Sequence, residues 1–144
     1  MVKKTRIIFV LLIISLTTCV GRSEILNDEI FIEHDGILEK AHGSTLSIDN
    51  KGETTLINVI FPWSHDISIA NDLEWINTQI VSASEPYETP DGIDNNRLTN
   101  YYVATISITV DSNTGKSRSG TITLSCDYRN DICISNIIIK QEGN

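Results

Sequence analysis

The chain has no apolar run long enough to cross a bilayer, no metal-ligand spacing, no nucleophile elbow and little positive charge. The longest apolar stretch, Ile7–Leu16 (IIFVLLIISL), has ten residues, whereas a spanning helix needs about 20. His34, His42 and His65 are scattered and form no HExxH pattern. His65 falls on the same alternating phase as Trp63 and Ile67, which suits a packed histidine better than a ligand. There is no G-x-S-x-G turn and no glycine-rich phosphate loop. Carboxylates are plentiful, yet none lies inside an apolar run, the setting that holds a catalytic acid protonated near neutral pH. Asp91–Asn96 (DGIDNN) could offer oxygens to Ca²⁺, but it departs from EF-hand spacing and lacks the terminal Glu, so it reads as a polar loop. The expectation is a protein without catalytic residues, cofactor or metal. The shortage of base, 11 Lys and Arg against 19 Asp and Glu for a net charge of −8, argues against a nucleic-acid partner.

What the amino terminus does contain is a secretory signal. Lys3, Lys4 and Arg6 precede the short apolar run, as in an exported precursor. Loss of residues 1–18 removes those three bases and no acid, leaving a net charge of −11. The run ends in Leu16-Thr17-Thr18-Cys19, which resembles the bacterial lipobox, with Thr18 where a smaller residue is commoner. Cys19 is then the lipidation site; ordinary cleavage after Gly21 is the alternative. An acylated Cys19 would hold the protein at the outer membrane or cell surface, and without it the protein is periplasmic. Val20–Asp28 has no apolar period and reads as a tether. The expected layout is a signal over 1–18, a tether over 19–28 and a domain over 29–144.

Beyond the tether, β-signals dominate. Glu29–Glu33 and Ser44–Ile48 are short candidates, separated by turn signals at Gly36 and Gly43. Glu53–Trp63 is β-branched, with Ile57, Val59, Phe61 and Trp63 on one face, and the phase continues to Ile69. Leu73–Val81 is ambiguous between strand and helical turn, and Ile76, Ile80 and Val81 favour a strand. Ser82–Asn100, with two prolines and a polar cluster, is a long loop. In Tyr101–Val110 strict alternation points Tyr102, Ala104, Ile106, Ile108 and Val110 inward and Tyr101 and Val103 outward. The chain therefore predicts an all-β, immunoglobulin-like antiparallel sandwich of about seven strands.

The carboxyl-terminal hairpin is the clearest feature. Ile122, Leu124 and Cys126 alternate with Thr121, Thr123 and Ser125, and the return strand puts Cys133, Ser135, Ile137 and Ile139 on one face. Pairing at a constant index sum sets Cys126 opposite Cys133, Leu124 opposite Ser135 and Ile122 opposite Ile137. Opposed cysteines on one face can close a disulfide, and an oxidising compartment allows it. Such a short loop would contribute roughly 2–3 kcal/mol. Two buried thiols are the alternative.

FPWSHDI, LEWIN, RSGTITLS and the IIIKQEG ending, in that order, resemble the BACON domain, a Bacteroidetes-associated module often found at the amino terminus of larger carbohydrate-active proteins. The resemblance spans Glu29–Gly143. Ile60 stands where the family commonly has Asn, and the Ser82–Asn100 insertion and the cysteine pair are further departures. It implies an exported sandwich that binds carbohydrate or mucin glycans without catalysis. Trp63 and Trp75 read as core residues, which leaves Tyr87, Tyr101 and Tyr128 as candidate glycan contacts. The alternative is a structural spacer or a subunit of an envelope protein complex.

Overall fold

The computed structural model describes residues 25–26, 29–62, 66–88, 100–128 and 131–144, and for Ile25, Leu26 and Tyr128 only the backbone. The expected signal, Cys19, Trp63, His65 and the Asp91–Asn96 loop lie outside the described residues. The described residues form eleven strands: β1 (Ile25–Leu26), β2 (Phe31–His34), β3 (Ile37–Lys40), β4 (Thr45–Ile48), β5 (Glu53–Pro62), β6 (Ser68–Ala70), β7 (Ile76–Ile80), β8 (Glu85–Pro86), β9 (Tyr101–Val110), β10 (Arg118–Tyr128) and β11 (Asp131–Gln141). There is no helix among the described residues.

The strands form two sheets. The first runs β1-β11-β10-β6, with β4 on the same edge of β11 as β1. The second runs β3-β2-β5-β9-β7, with β8 beside β7 on β9. Period-2 alternation drives the packing, because successive side chains point to opposite faces of a strand. Inward residues Ile32, Ile57, Val59, Phe61, Ile106, Ile108, Ile122, Leu124, Ile137 and Ile139 are at most 1% exposed and form one core between the sheets. The architecture is an all-β, immunoglobulin-like sandwich.

The hairpin has the expected register, with Cys126 opposite Cys133 and Ile122 opposite Ile137. Four elements differ from the sequence expectation, one of them β8, a two-residue strand inside the expected Ser82–Asn100 loop. The first sheet is not purely antiparallel: β1 and β4 both run parallel to β11, at Ile132–Cys133 and Ile138–Gln141. Ile25–Leu26, inside the expected tether, therefore joins the sheet. Lastly, β3 occupies the stretch that glycine turn signals had marked as a connection. Gly36 has φ +76° and Gly43 has φ +79°, so these glycines bound a four-residue edge strand.

One end of the sandwich is knitted by a single buried amide. Gln141, 2% exposed, donates through Nε2 to the carbonyls of Asp49 (3.0 Å) and Asp111 (2.8 Å). Its Oε1 accepts from Arg118 Nε at 2.8 Å. The Arg118 guanidinium also reaches the carbonyls of Asp111 and Ser112 and lies 4.2 Å from the centre of the Trp75 ring. Gly120 makes room for this arrangement: a Cβ there would collide with Leu73 and stand 2.9 Å from Trp75 Cζ2. A Cβ on Gly143 would meet the 115–117 backbone at 2.6 Å from Ser117 N.

Gln141→Leu keeps the volume but strands buried carbonyls at one of their donors, so it should destabilise the fold by about 2–4 kcal/mol. Gly120→Ala should cost about 1–3 kcal/mol by overpacking. Urea unfolding midpoints at equal m-value check both.

Candidate functional site on the outer face of the second sheet

The second sheet buries side chains on both faces at one end. The β5 sequence Val59-Ile60-Phe61 is apolar on consecutive positions, so Ile60 points away from the core and still needs cover. Register supplies it. Phe31 on β2 and Val103 on β9 are the cross-strand neighbours of Ile60. Leu38, Tyr87 and Tyr101 complete the cluster, in which Ile60 is 0% and Tyr101 9% exposed. The Phe31 and Tyr101 rings meet edge to face, with centroids 6.1 Å apart at 63°.

Polar groups border this apolar base. Tyr101 donates its hydroxyl to Glu29 Oε2 at 2.6 Å. Glu33, Asn58 and Thr105 share the adjacent cross-strand row. Asn58 Nδ2 donates to Glu33 Oε2 at 3.3 Å, and Thr105 Oγ1 donates to Asn58 Oδ1 at 2.9 Å. Tyr87 is pinned by its backbone N–H, which donates to the Tyr101 carbonyl at 2.8 Å. Its own hydroxyl is shielded from solvent and has no hydrogen-bond partner among the described residues. Desolvation and, second, the Glu33 carboxylate push the phenol above its ordinary range.

The structure thus brings two expected residues together and separates their roles. Tyr101 lies on the outward phase but is buried, because Phe31 and Ile60 cover it and Glu29 ties down its hydroxyl. It is a support, which corrects its expected exposure. Tyr87 carries the unpaired hydroxyl, shielded from solvent. Tyr128 pairs with Asp131 near the hairpin tip, and its side chain lies outside the described residues. Phe31, Glu33 and Asn58 escaped the sequence reading; their only signal was the alternate phase of strands recognised for their core faces. Trp75 packs against the core through Gly120 and Arg118. His34 Nε2 meets Thr55 Oγ1 at 3.0 Å, and His42 is exposed. Among the described residues, no group of three His, Cys, Asp or Glu side chains could hold a metal ion.

Cys126 and Cys133 are buried thiols in this structure, facing each other across the hairpin. Burial pushes both upward; the Cys126 thiol is raised further by Cys133, to which it hydrogen-bonds. The folded state therefore holds these protons more tightly than the unfolded chain. That contribution is complete below the ordinary thiol value of 9.0 and is lost as pH rises beyond it. Reduced protein should lose stability above about pH 9, and a Cys126→Val, Cys133→Val variant should lack that part of the loss. Urea denaturation of both at neutral and alkaline pH measures it.

Residues 65–142, just over half of the chain, match the model of the BACON family, described as "Putative binding domain, N-terminal". The match begins after β5, so the strands that carry Phe31, Glu33 and Asn58 precede it. No curated protein matches the chain. A solved structure titled "NMR structure of the protein from Bacteroides thetaiotaomicron" is 10% identical, covers 80% of this chain and 89% of its own, and has a TM-score of 0.31. The chain belongs to the BACON family.

Proposed function

We propose that this protein is a non-enzymatic carbohydrate-binding module whose ligand seats on the outer face of the second sheet, between Tyr87 and Glu33. The observation that carries the reading is the Tyr87 hydroxyl. A desolvated donor without an acceptor costs about 1–3 kcal/mol, and this one feels the charge of the Glu33 carboxylate with no hydrogen-bond partner among the described residues. A sugar hydroxyl answers both groups, since it accepts from the phenol and donates to Glu33. The apolar base of Phe31, Ile60 and Val103 suits the C–H face of a pyranose. Asn58 and Thr105 extend the polar row along the strands. Glu29, Glu33, Glu85 and Glu88 make this end acidic, which favours neutral glycans over anionic ones.

Export, lipidation of Cys19 and residence at the outer membrane or cell surface complete the proposal. They rest on the basic amino terminus, the short apolar run and the Leu16–Cys19 motif. In that compartment the facing cysteines are proposed to be oxidised to a disulfide.

A glycan array with the purified protein tests the ligand. Retention of neutral glycans, reduced about tenfold or more by Tyr87→Phe and by Glu33→Gln, is the expected result; a tenfold change corresponds to about 1.4 kcal/mol. An array without retained glycan ends the proposal. Cys19→Ala should release the protein from membranes, and mass spectrometry of exported protein should find Cys126 linked to Cys133. Two alkylatable thiols would refute the bond.

A further inference from the structure

A second polar depression lies away from the aromatic face, on the outer side of the first sheet. It has a volume of about 450 Å³ and is lined by Ser47, Ser117, Arg118, Ser119, Lys140 and Glu142, together with Gln141. Register explains how it forms. Lys140 on β11 is the cross-strand partner of Ser47 on β4 and of Ser119 on β10. The three side chains stand in one row on the outward phase, with neighbouring Cβ atoms about 5 Å apart. A central ammonium is thus flanked by two hydroxyls. Ser117 lies at the same end of the groove, where its Oγ accepts from the Gly143 N–H at 3.3 Å.

The charge here runs against the rest of the molecule. Lys140 forms no ion pair among the described residues, although Glu142 lines the same depression. Arg118 also lines the depression, from the opposite phase of β10, with its guanidinium held by Gln141 and by the 111–112 carbonyls. Two basic residues and one acidic residue thus line the depression, in a chain whose net charge is −8. An unpaired ammonium between hydroxyl donors has the make-up of an oxyanion site, because carboxylate and sulfate oxygens accept several short charge-assisted hydrogen bonds at once. The next row, Thr45, Ile138 and Thr121, gives the groove a hydroxyl-lined flank with one aliphatic patch, on which the body of a ligand can rest.

We infer that the Ser47–Lys140–Ser119 row is a binding site for an oxyanion, a carboxylate or sulfate borne by a small hydroxylated molecule. It stands independently of the glycan site, on the other sheet and with the opposite charge preference.

Titration of the ¹⁵N-labelled protein with glucuronate, with inorganic sulfate and with glucose tests it. Glucuronate should shift the amides of Ser47, Ser119 and Lys140 saturably, more weakly at high salt, while glucose leaves them in place. Saturable shifts with sulfate at similar affinity assign recognition to the oxyanion alone; tighter binding of glucuronate assigns part of it to the sugar body. Lys140→Gln, at an exposed position, should weaken binding about tenfold, or about 1.4 kcal/mol, and Glu142→Gln should tighten it. Tyr87→Phe should change nothing here, which separates this site from the glycan face. Absence of a saturable shift, equal shifts with glucose, or full affinity in Lys140→Gln would overturn the inference.

Discussion

One buried amide holds the two sheets in alignment at the end of the sandwich where its last strand finishes. Gln141 uses both amide hydrogens and its carbonyl oxygen on three separate segments. Those contacts draw in the β4–β5 turn at Asp49, the β9–β10 loop at Asp111 and the first residue of β10. Because the group is shielded from water, a lost partner exposes the full desolvation cost of the others. Arg118 then stands fixed above Trp75, and Trp75 closes over Gly120. Arg118-Ser119-Gly120 and Gln141-Glu142-Gly143, the blocks in which the sequence resembles the BACON domain, thus build this closure, while the proposed glycan site lies among other residues.

The aromatic face exists because β5 and β9 are too apolar to serve one core only. Ile60 and Tyr101 would lie bare on a solvated sheet, and β2, β3 and the segment after β8 cover them. Covering an outer face with single residues leaves seams, and the Tyr87 hydroxyl sits in one. A small second core and a candidate recognition surface are thus the same object. Glu29 links it to the hairpin: its carboxylate accepts from Tyr101 and also raises the Cys133 thiol.

Legibility in the sequence followed the range of the interactions. The span of β9 and the pairing of β10 with β11 were readable because alternation and index sum are local properties. The edge strand β3 was not, since Ile37 and Leu38 are adjacent and flanked by turn glycines, and its partner β2 supplies the reason to extend. The parallel seats of β1 and β4 on β11 join positions roughly a hundred residues apart, beyond any periodic signal. Tyr87 and Tyr101 were reachable as polar-loop and outward-phase aromatics. Their different fates depended on Phe31, Glu29 and Glu33, which only the folded register brings near. Gln141 was noticed as part of a motif, yet its partner at Asp49 lies 92 positions away.

The two parallel seats on β11 also decide how the molecule bears tension. β1 attaches where β11 begins and runs in the same direction, so the chain enters at one end of the sheet and leaves at the other. A pull between those ends slides the strands lengthwise past each other, and the interstrand hydrogen bonds resist together in shear instead of peeling apart in turn. For a protein proposed to be moored by its amino-terminal side, this sets a two-residue parallel pairing in line with the load.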